Sequence, residues 1–154
     1  MIKRWIVFTA LVLAVVGCNQ GKSYPERSEF TVKEYAAAVK RVEANDPAGL
    51  IKLYQIAANV DDAYTDEYGS VANEKLHIYL HSKPTLWIKT FSQVDLIKFK
   101  AYIKVSGIAV TKLPQGVSSD EQFAEEIFSS LKKIKGDENE LELIKYILDV
   151  YERH

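Results

Sequence analysis

The sequence predicts an all-α protein of six or seven short antiparallel helices. Three observations predict it. Apolar residues recur at spacings of three and four from residue 30 onward, helix-starting residues precede most of these runs, and the one stretch that alternates as a strand does has no partner strand elsewhere. With 154 residues, 47% hydrophobic and 27% charged, the chain has the balance of a single globular domain able to bury a core.

The elements follow in order. In "FTVKEY", Thr31 caps a first helix while Glu34 reaches back to it and Phe30 staples onto Tyr35. Its apolar face is Val32, Tyr35, Ala36, Val39 and Val42. In "NDPAGLIKLY", Asp46 is a cap and Pro47 takes the first helical position, where its missing N–H costs nothing. Leu50, Ile51, Leu53, Tyr54 and Ala57 line that second helix. A third runs from about Asp62 to His81 with Tyr64, Tyr68, Val71, Ala72, Leu76 and Leu80, and Gly69 offers a break in its first third. A fourth begins at Pro84. In "LIKFKAYIKVSGIAV" the residues 96–105 fit a strand by alternation, or a helix begun by Ser92 or Asp95 that holds Leu96, Phe99, Tyr102 and Ile103 and stops near Gly107. Helix is preferred, because unpaired strand edges leave backbone groups unsatisfied. After a loop at Pro114 and Gly116, Ser119 caps a helix with Phe123, Ile127, Leu131 and Ile134 inside, ended by Gly136 in a left-handed conformation. Asp137 and Glu140 form a capping pair ahead of Leu141, Ile144, Leu148 and Tyr151.

Pro47 and Pro84, Ile51 and Ile88, Lys52 and Lys89, and Tyr54 and Phe91 all match at an offset of 37 residues. That period lies near those of helical solenoids. The pattern resembles armadillo or HEAT-like stacks of helical hairpins, which implies a stacked arrangement; an irregular helical bundle is the alternative.

The N-terminal stretch "GCNQGKS" has the look of a phosphate-binding loop, but that loop needs four residues between its glycines and a preceding strand. Here Gly17 and Gly21 enclose three. Upstream, Lys3 and Arg4 precede an apolar run from Trp5 to Val16 that is interrupted only by Thr9. The run is shorter than the roughly 20 residues a membrane-spanning helix needs and fits the apolar part of a secretory signal. Its end, Val15, Val16, Gly17 and Cys18, resembles the lipobox of bacterial lipoproteins, with valine in place of the commoner leucine three residues before the cysteine. The resemblance covers only this segment. It implies cleavage between Gly17 and Cys18, acylation of Cys18, and hence membrane lipid as a partner. It also implies a division into a signal peptide at 1–17, a lipidated cysteine and polar spacer at 18–29, and one helical domain at 30–154. Asn19 after the cysteine, rather than aspartate, implies export to an outer membrane facing the periplasm in a Gram-negative cell. Two or three acyl chains hold a protein stably where one holds it marginally. Loss of Lys3 and Arg4 leaves 20 less 2 basic residues against 21 acidic ones, a net of -3, with little overall attraction to anionic lipid.

The rest of the chain is poor in recognisable chemistry. A formal charge of -1 speaks against nucleic acid as a partner, and one cysteine excludes an intrachain disulfide. No serine sits in a G-x-S-x-G turn. Glu74, His77 and His81 fall on one helical side at spacings a zinc ion could use, yet Ile78 occupies the position where a hydrolase places its general base. Asp61, Asp62, Asp66 and Glu67 do not form a calcium loop, since the sixth and twelfth positions counted from Asp61 are Asp66 and Ala72. With Tyr64 and Tyr68 they suit a protein-binding face. Lys98, Lys100 and Lys104 form a candidate basic stripe. The expectation is a lipid-anchored cell-envelope protein without enzymatic activity or cofactor, whose domain binds or scaffolds another envelope protein, an immunity-type lipoprotein being one specific version. The alternative is a metal-dependent envelope hydrolase using Glu74, His77 and His81.

Overall fold

The computed structural model describes residues 32–58, 67–106 and 110–151. They form seven helices: α1 (Val32–Glu43), α2 (Pro47–Ala58), α3 (Glu67–Ser82), α4 (Pro84–Phe91), α5 (Leu96–Ser106), α6 (Asp120–Leu131) and α7 (Glu138–Tyr151). No strand occurs among the described residues. The stretch 96–105 is helix. Phe99 and Ile103 are buried on its inner face, while Ile97 and Val105 point outward.

Local chemistry sets the helix ends. Asn45 has a φ of 61°, and its N–H donates to Val42 O at 2.8 Å while that of Asp46 donates to Arg41 O at 2.9 Å. This pair of bonds closes α1 with a left-handed residue, a conformation asparagine tolerates. Asp46 then starts α2, its carboxylate accepting from Ala48 N at 3.0 Å and from Arg41 Nε at 2.7 Å. Both bonds hold its carboxyl below the ordinary range. Ser119 accepts from Gln122 N at 3.2 Å at the head of α6. At the head of α7, Asp137 N–H donates to Glu140 at 3.0 Å and Glu140 N–H donates to Asp137 at 2.9 Å, the reciprocal pair expected. Thr31, Phe30 and Gly107 lie outside the described residues.

Three expectations need correction. Gly136 does not end α6. That helix stops at Leu131 with Lys132 still right-handed, and the turn closes through Lys133 N to Ser130 O and Ile134 N to Leu131 O, so no left-handed residue is needed. Gly136 is instead a close approach, since a Cβ there would lie 2.3 Å from Glu140 Oε2. Among the described residues the left-handed glycine is Gly116, at a φ of 91° in the turn closed by Val117 N to Pro114 O. On α1, Ala36 is exposed and Ala38 is the buried alanine. On α7 the buried face is Glu140, Leu143, Ile144 and Ile147, with Leu141 left 49% exposed. The capping pair tucks Glu140 against Gly136, and the face at i+3, i+4 and i+7 from it turns inward.

The core gathers on α4. Trp87, Ile88 and Phe91 are buried there, and α4 meets α2, α3, α6 and α7. Tyr54 of α2 and Phe91 of α4, equivalent positions in the 37-residue match, touch edge to face at 5.9 Å. Trp87 Nε1 donates to Leu76 O at 3.0 Å, fixing α4 on α3. Helix α3 also reaches α6. The all-helical class is as expected, and α4 is the element on which four of the other described helices converge.

Candidate functional site

Helix α3 carries the residues that sequence reasoning singled out, and the fold separates them. Glu74 accepts from Thr111 Oγ1 at 2.7 Å and from Lys112 N at 3.1 Å, which pins the loop after α5. His77 is buried in the core at 4% exposure. His81 turns to α6, where its Nε2 lies 2.7 Å from Glu126 Oε2 and its ring stacks on Phe123 at 5.0 Å. No group of three His, Cys, Asp or Glu side chains converges on a point a metal could occupy among the described residues. Residues three and four apart on a helix differ in direction by about 40–60°. On a helix packed on more than one side, that is enough to send each to a different neighbour.

What α3 and α6 build together is a polar chain on the surface. The carboxylate of Glu126 only accepts, so His81 Nε2–H donates to it. Its other oxygen takes Gln122 Nε2 at 2.8 Å, and Gln122 Oε1 receives Ser118 Oγ at 2.6 Å and Ser118 N at 2.9 Å. The bond from His81 first, and that from Gln122 second, hold the Glu126 carboxyl below its ordinary value of 4.5. A carboxyl lowered by folding stabilises the fold above its unfolded value, and that contribution is lost as pH falls through the lowered one. Glu126→Gln is therefore expected to cost thermal stability at neutral pH. The gap from the native protein should close below 4.5 in a pH series of melting temperatures.

A second polar contact, absent from the sequence reading, joins α3 to α1. Tyr79 is buried and its hydroxyl donates to Glu43 at 2.7 Å, while the Lys75 ammonium sits 5.1 Å from its ring centre. Burial, and then the Glu43 bond and charge, raise the Tyr79 hydroxyl far above its ordinary range, so it stays a donor. The apolar run around Leu76 and Leu80 already marked this helix as inward-facing, and a tyrosine three residues from Leu76 was the available signal.

Of the acidic and aromatic face, Asp61, Asp62, Tyr64 and Asp66 lie outside the described residues, and Glu67 and Tyr68 open the backbone of α3. Cys18 and Gly17 also lie outside them. The open grooves of the described surface include one along α7 beside Lys100, with Leu141, Lys145 and Leu148, and one between α1 and α2, with Glu34, Arg41, Ile51 and Lys52. No described helix is long and apolar enough to cross a membrane. Compared with protein families, curated proteins and solved structures, the chain has no significant match in any of the three.

Proposed function

We propose that the protein is a lipid-anchored component of a bacterial cell envelope whose helical domain binds or scaffolds another envelope protein. The observation that carries this reading is the order of Lys3 and Arg4, the apolar run 5–16, Gly17 and the sole cysteine, Cys18. Charge, apolar core, small residue and thiol stand in the sequence that lipoprotein processing uses, and this thiol has no other cysteine to pair with. The body it tethers supports the second half of the reading. The seven described helices present broad faces, and on α3 Glu74, Tyr79 and His81 tie the helix to the loop after α5, to α1 and to α6.

The test is mass spectrometry of the full chain extracted from cells, together with metabolic labelling by an alkynyl fatty acid. The native protein is expected to begin at Cys18, carry acyl chains there, and partition into detergent. Cys18→Ser should lose the label and remain uncleaved. An unmodified thiol at residue 18 on a chain free in solution would overturn the anchor. For the binding role, lysine cross-linking in intact cells should give one saturable complex of fixed stoichiometry, and only monomer under all conditions would count against it.

A further inference from the structure

The outer face of α5 is unlike the rest of the described surface. Ile97 and Val105 are each 83% exposed, more than any other large hydrophobic residue described. They stand two turns apart with exposed Ala101 between them, so the three make one aliphatic stripe at i, i+4 and i+8. At 100° per residue, Lys100 and Lys104 border one edge of the stripe and Lys98 borders the other. The helix has no acidic residue among its eleven. Its opposite face, Phe99 and Ile103, is buried in the core, so the stripe is not needed to hold α5 in place.

We propose that α5 lays the domain onto an anionic phospholipid surface, with Ile97, Ala101 and Val105 at the acyl boundary and Lys98 and Lys104 reaching to the phosphates. Helices that lie in a bilayer interface have this composition: an apolar strip bordered by side chains whose stems stay in grease while their ammonium groups reach water. Two acids beside these lysines are engaged in ion pairs. Asp95 lies 3.5 Å from Lys98, Glu142 is paired with Lys100, and Lys104 has no ion pair among the described residues. The rest of a chain with net charge -3 after processing is repelled by the same lipid, which orients the domain with α5 inward.

This inference rests on the anchor at Cys18, because three side chains bind too weakly to hold a free protein. Residues 19–31 span at most about 45 Å, so a tethered domain meets the bilayer as an intramolecular partner, and a weak face suffices. A second copy fits less well. Two-fold pairing of α5 sets its lysines against their like, and the stripe is far smaller than the roughly 800 Å² per partner that a stable dimer needs.

The experiment is lysine acetylation footprinting of the full, lipid-bearing chain in vesicles of phosphatidylethanolamine and phosphatidylglycerol. Lys98 and Lys104 are expected to react severalfold more slowly than in detergent, while exposed Lys132 and Lys133 are unchanged. The protection should vanish in phosphatidylcholine vesicles and in high salt. The double variant I97E/V105E, checked for native melting, should still sediment with the vesicles yet lose the protection. A chain that sediments with Lys98 and Lys104 fully reactive overturns the docking and leaves the anchor standing. A chain that stays in the supernatant overturns the anchor instead. Coupling its Cys18 thiol to a maleimide phospholipid then supplies the tether, and the same footprint decides the role of α5. Protection that follows protein density and ignores lipid charge means a second copy or another protein covers the stripe, and overturns the proposal.

Discussion

Phe99→Ala is expected to destabilise the domain by about 3–5 kcal/mol and to lower its melting temperature by roughly 10–20 °C. Phe99 is fully buried. Its ring stacks on Phe91 at 4.2 Å and 6°, meets Tyr54 edge-on at 5.1 Å, and lies 5.4 Å from Trp87. Each such pair adds about 0.5–1.5 kcal/mol beyond its buried area, and flat rings locked on two other helices close poorly over the space that alanine leaves. Phe99→Leu keeps much of the volume and should cost about 1–2 kcal/mol. Val105→Ala, on the solvent side of the same helix, should stay within about 0.5 kcal/mol. Thermal melts followed by far-ultraviolet circular dichroism decide the order. The shape of the transition is also informative. Phe99 joins α5 to α2 and α4, so the loss should move one cooperative unfolding step; a separate early melting of α5 alone would contradict a shared core.

This aromatic cluster shows how far the sequence could be read. The helical state of 96–105 was legible because Leu96, Phe99 and Ile103 recur at three and four and no partner strand exists, and the structure buries Phe99 and Ile103. The caps at Asp46, Ser119 and Asp137 were legible because a capping bond spans only two or three residues, so its chemistry is written locally. The directions of side chains on helices packed on several sides were not. Sequence spacing put Glu74, His77 and His81 on one side of α3, but the loop at 111–112, the core and α6 each took one of them. On α7, residues 141, 143, 144, 147 and 148 are all apolar, so periodicity allows two overlapping faces; the seat of Glu140 against Gly136 settled which one turns inward. That contact depends on the path of the chain after α6, which no local pattern encodes. The matching positions at offset 37 reported two helices that begin with proline and pack on each other, a true likeness of parts that does not fix how the whole is arranged.

At Gly49 the usual effect of a helix glycine should change sign. In an open helix, alanine for glycine gains about 1 kcal/mol. Gly49 sits in the first turn of α2, buried against α1, where a Cβ would lie 2.5 Å from Ala38 O and 2.7 Å from both Val42 N and Val42 Cγ2. Two of these three atoms are backbone and cannot rotate away. Relief requires α1 to move off α2, but the helices are joined by only the three residues 44–46, and those residues are held by the bonds that end one helix and begin the next. Gly49→Ala is therefore expected to destabilise the domain by about 1–3 kcal/mol despite its better propensity, and Gly49→Val by more, read as a fall in the urea midpoint. Adding Val42→Ala to Gly49→Ala separates the causes. Removing the valine methyls frees only Cγ2 and leaves the carbonyl of residue 38 and the amide of residue 42 in place, so the double variant should recover none of the loss. Full recovery would mean that side-chain crowding, and not the closeness of two backbones, keeps this position glycine.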